Sequence, residues 1–303
     1  MLKDTMLILA RQEAIRHFVS HNTMARKAAR RFVAGETLDE AMGVVRALNG
    51  EHISVSLDHL GENVSDAAEA CAAANDYITI LDRINEAGAD ANISVKLTAL
   101  GLDVDEQLCR ENLTRVMRRA ADLNIFVRVD MEGSAYTERT MKMVLALRRD
   151  FDNIGTVLQS MLYRTPEDVA RLIAAKTRVR LVKGAYLEPP TVAYPHKADV
   201  DTRYLDCLHR LLECGVYPAI ATHDERIIAD ARRFAADHEI DKARFEFQML
   251  YGIRRDLQVS LAREGYNVRV YVPYGTQWYP YLTRRMAERP ANLMFVMSNA
   301  LRG

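Results

Sequence analysis

An α/β fold, the (βα)8 barrel of TIM type, is predicted here by three observations. Eight short β-rich runs recur at roughly 20 to 45 residue intervals, helical patterns fill the gaps between them, and several runs alternate aliphatic with polar residues. Taken in chain order, residues 5 to 48 look helical and precede the first strand, with Thr37 and Glu40 at the spacing of a capping box. They are expected to form a cap or lid, dividing the chain into an N-terminal helical segment, 1–50, and a barrel, 51–303. The strands are expected at 53–58, 92–98, 125–130, 156–160, 178–183, 217–222, 245–249 and 267–272. Between them, 105–122, 137–150, 165–176, 201–214 and 225–237 carry helical periodicity with charged faces. Thr165 reads as an N-cap with Pro166 at the first helical position, and 188–199 reads as a long loop after the fifth strand.

Composition narrows the function. With 303 residues, 49% of them hydrophobic, the chain can bury a sizeable core. Forty-one basic residues against forty-one acidic ones remove any global electrostatic case for nucleic acid. Cys71, Cys109, Cys207 and Cys214 lack zinc-type or disulfide-framework spacing, so a reducing compartment and four buried structural thiols are expected. Arg11, Glu13 and Arg16 follow the first apolar patch too soon for an export signal, and no apolar run approaches the ~20 residues that span a bilayer. The expected location is cytoplasmic, with peripheral attachment at the inner face of the membrane still compatible.

The alternation in 93–98, 125–130 and 268–272 puts aliphatic residues on one face and polar ones on the other. Helices must cover the aliphatic face, so the polar face points inward. An interior of hydrogen-bonding groups is costly when dry and sealed, and therefore suits a large polar ligand better than a packed plug. In such barrels catalytic groups sit at the C-terminal strand ends. Those positions read Asp58 and Glu62, Lys96, Asp130 and Glu132, Gln159, Arg180 and Lys183, Thr222 and His223, Gln248, and Tyr271.

Lys96 can be a Schiff-base nucleophile or a fixed cation paired with Asp130. His223 has no HxH or HxxxH partner, and no metal site is expected. Gly184 suits either a close backbone approach to a ligand or a tight turn. Neither a Gly-x-Gly-x-x-Gly nor a P-loop pattern occurs, so a nucleotide cofactor needs another device. Near the end, Tyr281, Arg284 and Arg285 are spaced to converge along one side of a helix, as a carboxylate clamp would. The same run also reads as a solvated face in which Glu288 pairs with either arginine.

Assembled in order, these residues resemble the proline dehydrogenase family of flavoenzymes. The segments are Ser-Val-Lys-Leu-Thr-Ala-Leu at 94–100, Arg-Val-Asp-Met-Glu at 128–132, Val-Leu-Gln at 157–159, Arg-Leu-Val-Lys-Gly-Ala-Tyr at 180–186, Ala-Thr-His at 221–223, Phe-Glu-Phe-Gln-Met-Leu-Tyr-Gly at 245–252, Tyr-Val-Pro-Tyr-Gly at 271–275 and Tyr-Leu-Thr-Arg-Arg-Met-Ala-Glu at 281–288. The resemblance implies a distorted (βα)8 barrel with its final helix over the mouth. It implies oxidation of L-proline to Δ1-pyrroline-5-carboxylate, the first step of proline catabolism to glutamate, with FAD as cofactor and a quinone as electron acceptor.

By the same resemblance, Arg284 and Arg285 clamp the proline carboxylate, Lys96 adds a third cation held by Asp130, and Tyr271 and Tyr281 wall the pocket. Asp130 and Arg180 fall among the catalytic residues. Met131, Gln159, Arg180, Val182, the Lys183, Gly184 and Ala185 backbone, Thr222, His223, Gln248 and Glu288 look like flavin contacts, and Glu62 like a gate that pairs with Arg284. Leu187 stands where larger members have an aromatic against the cofactor. The chain ends at Gly303, which implies the monofunctional type and a separate pyrroline-5-carboxylate dehydrogenase downstream. The competing reading is a Schiff-base aldolase-type barrel using Lys96 or Lys183.

Overall fold

The computed structural model describes residues 30–282. In order they form α1 (Leu38–Asn49), β1 (Ser54–His59), α2 (Ala67–Glu86), β2 (Ala91–Val95), α3 (Glu106–Asp122), β3 (Val127–Val129), α4 (Ser134–Leu147), β4 (Ile154–Gln159), α5 (Thr165–Ala174), β5 (Arg178–Val182), α6 (Lys197–Cys214), β6 (Ala219–Ala221), α7 (Glu225–Asp237), β7 (Glu246–Leu250), α8 (Arg255–Arg263) and β8 (Asn267–Tyr274). The strands close into one parallel barrel in sequence order. Closure is made by β1 against β8, with Val55 opposite Val270 and Leu57 opposite Val272.

Outward residues such as Val55, Leu57, Ile93, Val127, Leu181, Ile220, Phe247 and Val270 are buried under the helices. Each helix presents an apolar stripe to them; α2, for example, buries Ala70, Ala74, Tyr77, Ile80, Leu81 and Ile84. Aspartates 66, 105 and 224 accept backbone N–H bonds at the N-termini of α2, α3 and α7. The capping box expected at Thr37 and Glu40 is formed at α1.

Three expectations are corrected. The helix at 38–49, the described part of the segment expected as a cap, packs outside the barrel against β1 and β8, beside the closing seam, while residues 5–29 of that expectation lie outside the described residues. At α5, Thr165 is the first helical residue rather than the cap, because its hydroxyl donates to the Gln159 carbonyl. Cys109 and Cys207 are buried thiols, but Cys71 is half-buried and Cys214 exposed.

The inward face is polar, as the alternation required, yet its lower part is plugged. Arg180 reaches across the barrel from β5, donating to Gln248 (2.5 Å), Asp130 (2.8 Å), Ser94 (3.1 Å) and Ser56 (3.3 Å). Below it Arg269 pairs with Glu246 at 3.0 Å. These groups satisfy one another, which is how an all-polar interior avoids the cost of unpaired burial.

Candidate active site

Above the Arg180 layer the mouth opens into a cavity of about 740 Å³. Parallel strands deliver their C-terminal ends to it: Asp58 from β1, Lys96 just past β2, Asp130 and Met131 past β3, Gln159 ending β4, Val182 ending β5, Thr222 and His223 past β6, Gln248 on β7 and Tyr271 on β8. Lys183, Gly184 and Ala185 from the β5–α6 loop and Tyr281 complete the expected set. Of the site residues read from sequence, Arg284, Arg285 and Glu288 lie outside the described residues, and Glu62 sits in the β1–α2 loop without lining the cavity.

The partner of Lys96 is a correction. Its Nζ lies 2.6 Å from Asp58 Oδ1, both side chains being buried. Asp130 is occupied elsewhere: Arg180 Nη1 donates to one oxygen at 2.8 Å and the Tyr271 hydroxyl donates to the other at 2.7 Å. A guanidinium arriving from β5 therefore wins the carboxylate that register alone would offer to Lys96. Asp58 was visible as a strand-end acid, but its role was missed; its position two residues beyond the inward Ser56 was the signal.

Electrostatics follow from these pairs. Burial works against the Lys96 charge, but the Asp58 and then the Asp130 carboxylates outweigh it and hold the ammonium well above the usual lysine range. Burial raises Asp58, with Lys96 opposing. Burial and Asp130 raise the Tyr271 phenol, which stays protonated as a donor while the Arg180 guanidinium sits 5.1 Å over its ring. Glu132, raised by burial, accepts from Thr98 N–H at 3.2 Å and from its hydroxyl at 2.6 Å, which directs it away from the cavity. Gln159 donates to the Glu132 carbonyl at 2.9 Å.

At the rim, Lys183 is clamped between Asp201 (2.6 Å) and Asp224 (2.9 Å). Burial opposes its charge, and the two carboxylates still raise it. Neither lysine is thereby a neutral amine, the form a Schiff-base nucleophile must reach. His223 Nε2 accepts from the Leu250 N–H at 3.0 Å, which puts the ring proton on Nδ1. Gly184 has φ +117°, and a Cβ there would meet the Met161 sulfur at 2.3 Å, so both conformation and space exclude a side chain. Leu187 is exposed. The sequence reading did not find Lys197, Arg226 and Arg254, which line the same rim, because isolated surface cations carry no signal until the fold gathers them. Among the described residues no helix is long and apolar enough to cross a membrane.

Comparison with known proteins fits this arrangement. The family model described as proline dehydrogenase matches residues 41–298. The chain is 46% identical over 280 residues to a proline dehydrogenase of Deinococcus radiodurans, covering 91% of this chain and 90% of that one. It is 40% identical to proline dehydrogenase 1 of Bacillus subtilis over the full length of both. Among solved structures, proline utilization A from Bdellovibrio bacteriovorus, inactivated by N-propargylglycine, superposes with a TM-score of 0.82 at 28% identity, covering 87% of this chain and 33% of that one. A family match across most of the barrel, with the strand-end residues gathered at one mouth, places this chain in the proline dehydrogenase family.

Proposed function

We propose that this chain oxidises L-proline to Δ1-pyrroline-5-carboxylate with FAD in the mouth cavity and a quinone as the final electron acceptor. The observation that carries the reading is the buried Lys96, held 2.6 Å from the Asp58 carboxylate, in the lining of the mouth cavity. An ammonium favoured by a neighbouring carboxylate is suited to recognising a carboxylate and poorly suited to forming an imine. The residues fit a flavin nucleotide: the cavity is wide, Gly184 lets backbone approach closely, and Gln159, Thr222 and the 183–185 backbone offer hydrogen-bonding groups. Met131, Arg180, Val182, His223, Gln248 and Glu288 would complete its contacts. When bound, FAD supplies the acceptor for the hydride that leaves the ring carbon beside nitrogen.

The chain's own work is orientation and charge placement. Lys96, fixed by Asp58, and the pair Arg284 and Arg285 hold the substrate carboxylate. Tyr271 and Tyr281 wall the pyrrolidine ring and exclude water. Asp130, with both oxygens engaged by Arg180 and Tyr271, braces Tyr271 rather than acting as a free base. The ring nitrogen reacts as the neutral amine: hydride takes two electrons and one hydrogen from the ring carbon and one proton leaves the nitrogen to solvent, so the two electrons and two hydrogens that separate proline from the imine are accounted for without a dedicated base. Glu62 gates the site through Arg284, and residues 51–303 form the catalytic unit. The product passes to a separate pyrroline-5-carboxylate dehydrogenase, and the enzyme works in the cytoplasm, at the inner face of the membrane when it meets its quinone.

One visible spectrum tests this. Yellow protein bleached by proline and recoloured by a quinone is expected. Colourless protein that is trapped covalently on Lys96 or Lys183 by borohydride with substrate would move the assignment to the aldolase-type reading.

A further inference from the structure

At the end of the barrel opposite the mouth lies a second cavity, of about 170 Å³, roughly the liquid volume of five or six waters. Arg128, Arg178 and Arg269 line it, with Asn92 and the two carboxylates Asp90 and Glu246. The buried cations of the barrel are otherwise matched one to one: Lys96 with Asp58 at 2.6 Å, Arg180 with Asp130 at 2.8 Å, and Arg269 with Glu246 at 3.0 Å. Arg128 is the exception among the described residues. Its side chain is fully buried, and its Nη1 reaches only the carbonyls of Thr156 (3.2 Å) and Arg178 (3.1 Å).

Its Nε has no partner, and neither has the buried Asn92 Oδ1 on the same cavity wall. Arg178 adds a second guanidinium that is stacked on Phe126 and Tyr217, at 5.1 and 5.0 Å, rather than paired with a carboxylate. The arrangement is built: Gly155 leaves the space, since a Cβ there would stand 2.5 Å from the Arg178 carbonyl and 3.1 Å from Arg128 Nη1. The Glu246 and Asp130 carboxylates act on Arg128 only at a distance, neither being hydrogen-bonded to it; a buried charge so incompletely compensated is expensive, and a polar cavity beside it gives room for a closer counter-charge.

We infer that this floor cavity binds a monovalent inorganic anion of halide size, seated on Arg128 Nε and Arg178, with water completing Asn92. Glu246 and Asp90 on the same lining repel phosphate and other multivalent anions, and the volume excludes the cofactor of the mouth. The site has no part in proline oxidation; it neutralises the layer beneath Arg180 and so holds that strut in place.

The test uses the full-length, flavin-loaded protein. Thermal midpoints are measured in sodium chloride and in sodium gluconate at equal ionic strength, since gluconate is too large for the cavity. A saturable rise in chloride alone is expected, as for any ligand of the native state. Crystals soaked in bromide should show an anomalous peak beside Arg128 Nε. Arg128→Met should abolish both signals; if that variant does not fold, Arg178→Gln, at a half-buried position, should raise the half-saturating chloride concentration about 10-fold. Equal midpoints in the two salts with only water in the floor, or a bromide peak confined to the mouth, would overturn the assignment.

Discussion

Removing the Asp58 charge leaves the Lys96 ammonium buried without the carboxylate that it donates to at 2.6 Å. Breaking a buried pair from one side costs about 3–5 kcal/mol, so Asp58→Asn should lower the urea midpoint by that equivalent and weaken proline binding as well. Replacing both members, Lys96→Met with Asp58→Leu, should recover most of the stability but none of the proline turnover. Recovery of turnover in the double variant would show that the ammonium does not read the substrate. At the proposed clamp, Arg285→Lys keeps the charge but loses the planar fork, so kcat/KM for proline should fall roughly 10- to 150-fold. Prolinamide, which has no carboxylate, should start poor and change little; an equal loss for both compounds would reassign Arg285 to a structural or gating role. Asp58, Lys96 and Asp130 were legible because each is a charged residue at a strand end, and Arg285 because its spacing from Tyr281 is that of a helix face. Who pairs with whom was not. Lys96 and Asp130 stand on neighbouring strands in equivalent positions, and only the closed barrel shows that Arg180, fifty residues further on, takes the carboxylate.

Loops and helix ends hold the mouth in shape, and their chemistry is testable separately. Lys183 ties the β5–α6 loop to Asp201 in α6 and to Asp224, the cap of α7. Burial works against both carboxylates, yet Lys183 holds each below the ordinary aspartate range. A depressed folded value means that the stabilisation is present above about pH 3.9 and is lost as pH falls through the folded values beneath it. The raised Lys183 contributes in the opposite sense, fully below its ordinary value of about 10.4 and fading only at higher pH. Limited proteolysis should therefore leave residues 183–196 intact from about pH 4 to 10 and cut them progressively more readily as pH falls below that range. Cleavage that does not change across the acid limb would show that the clamp does not order the loop. Gly184→Ala forces a side chain into a positive φ and into Met161, and should cost more than about 1 kcal/mol and lower flavin occupancy. Thr37→Ala, which removes the capping box of α1, should cost about 1 kcal/mol without touching the cavity. Element type was readable throughout because strand faces repeat every two residues and the helices between them about every 3.6. The place of α1 was not readable, since an amphipathic helix fits a wall as well as a lid.

At the scale of the molecule the barrel closes on a seam between its first and last strands, and α1 lies over that seam. A chain beginning at residue 51 should keep every strand and lose the cover of Val55, Val270 and their neighbours. It should bind a hydrophobic dye and fail to retain flavin, whereas native-like unfolding of that fragment would make α1 dispensable. The polar interior was foreseen from alternation, but its division into an open mouth, a layer bridged by Arg180 and a small floor cavity depends on how far each arginine reaches across the barrel. The seam also sets a clock on the ribosome. About 208 residues separate the end of β1 at His59 from the start of β8 at Asn267, and at 5–20 residues per second that gap takes on the order of 10–40 s to translate. Throughout that interval the nascent chain carries an open strand edge and a helix with half its docking surface unmade, a template for pairing with other chains. Birth of this enzyme is thus the moment at which it is most exposed to aggregation, and slowing translation late in the message should increase its demand for chaperones far more than slowing it early.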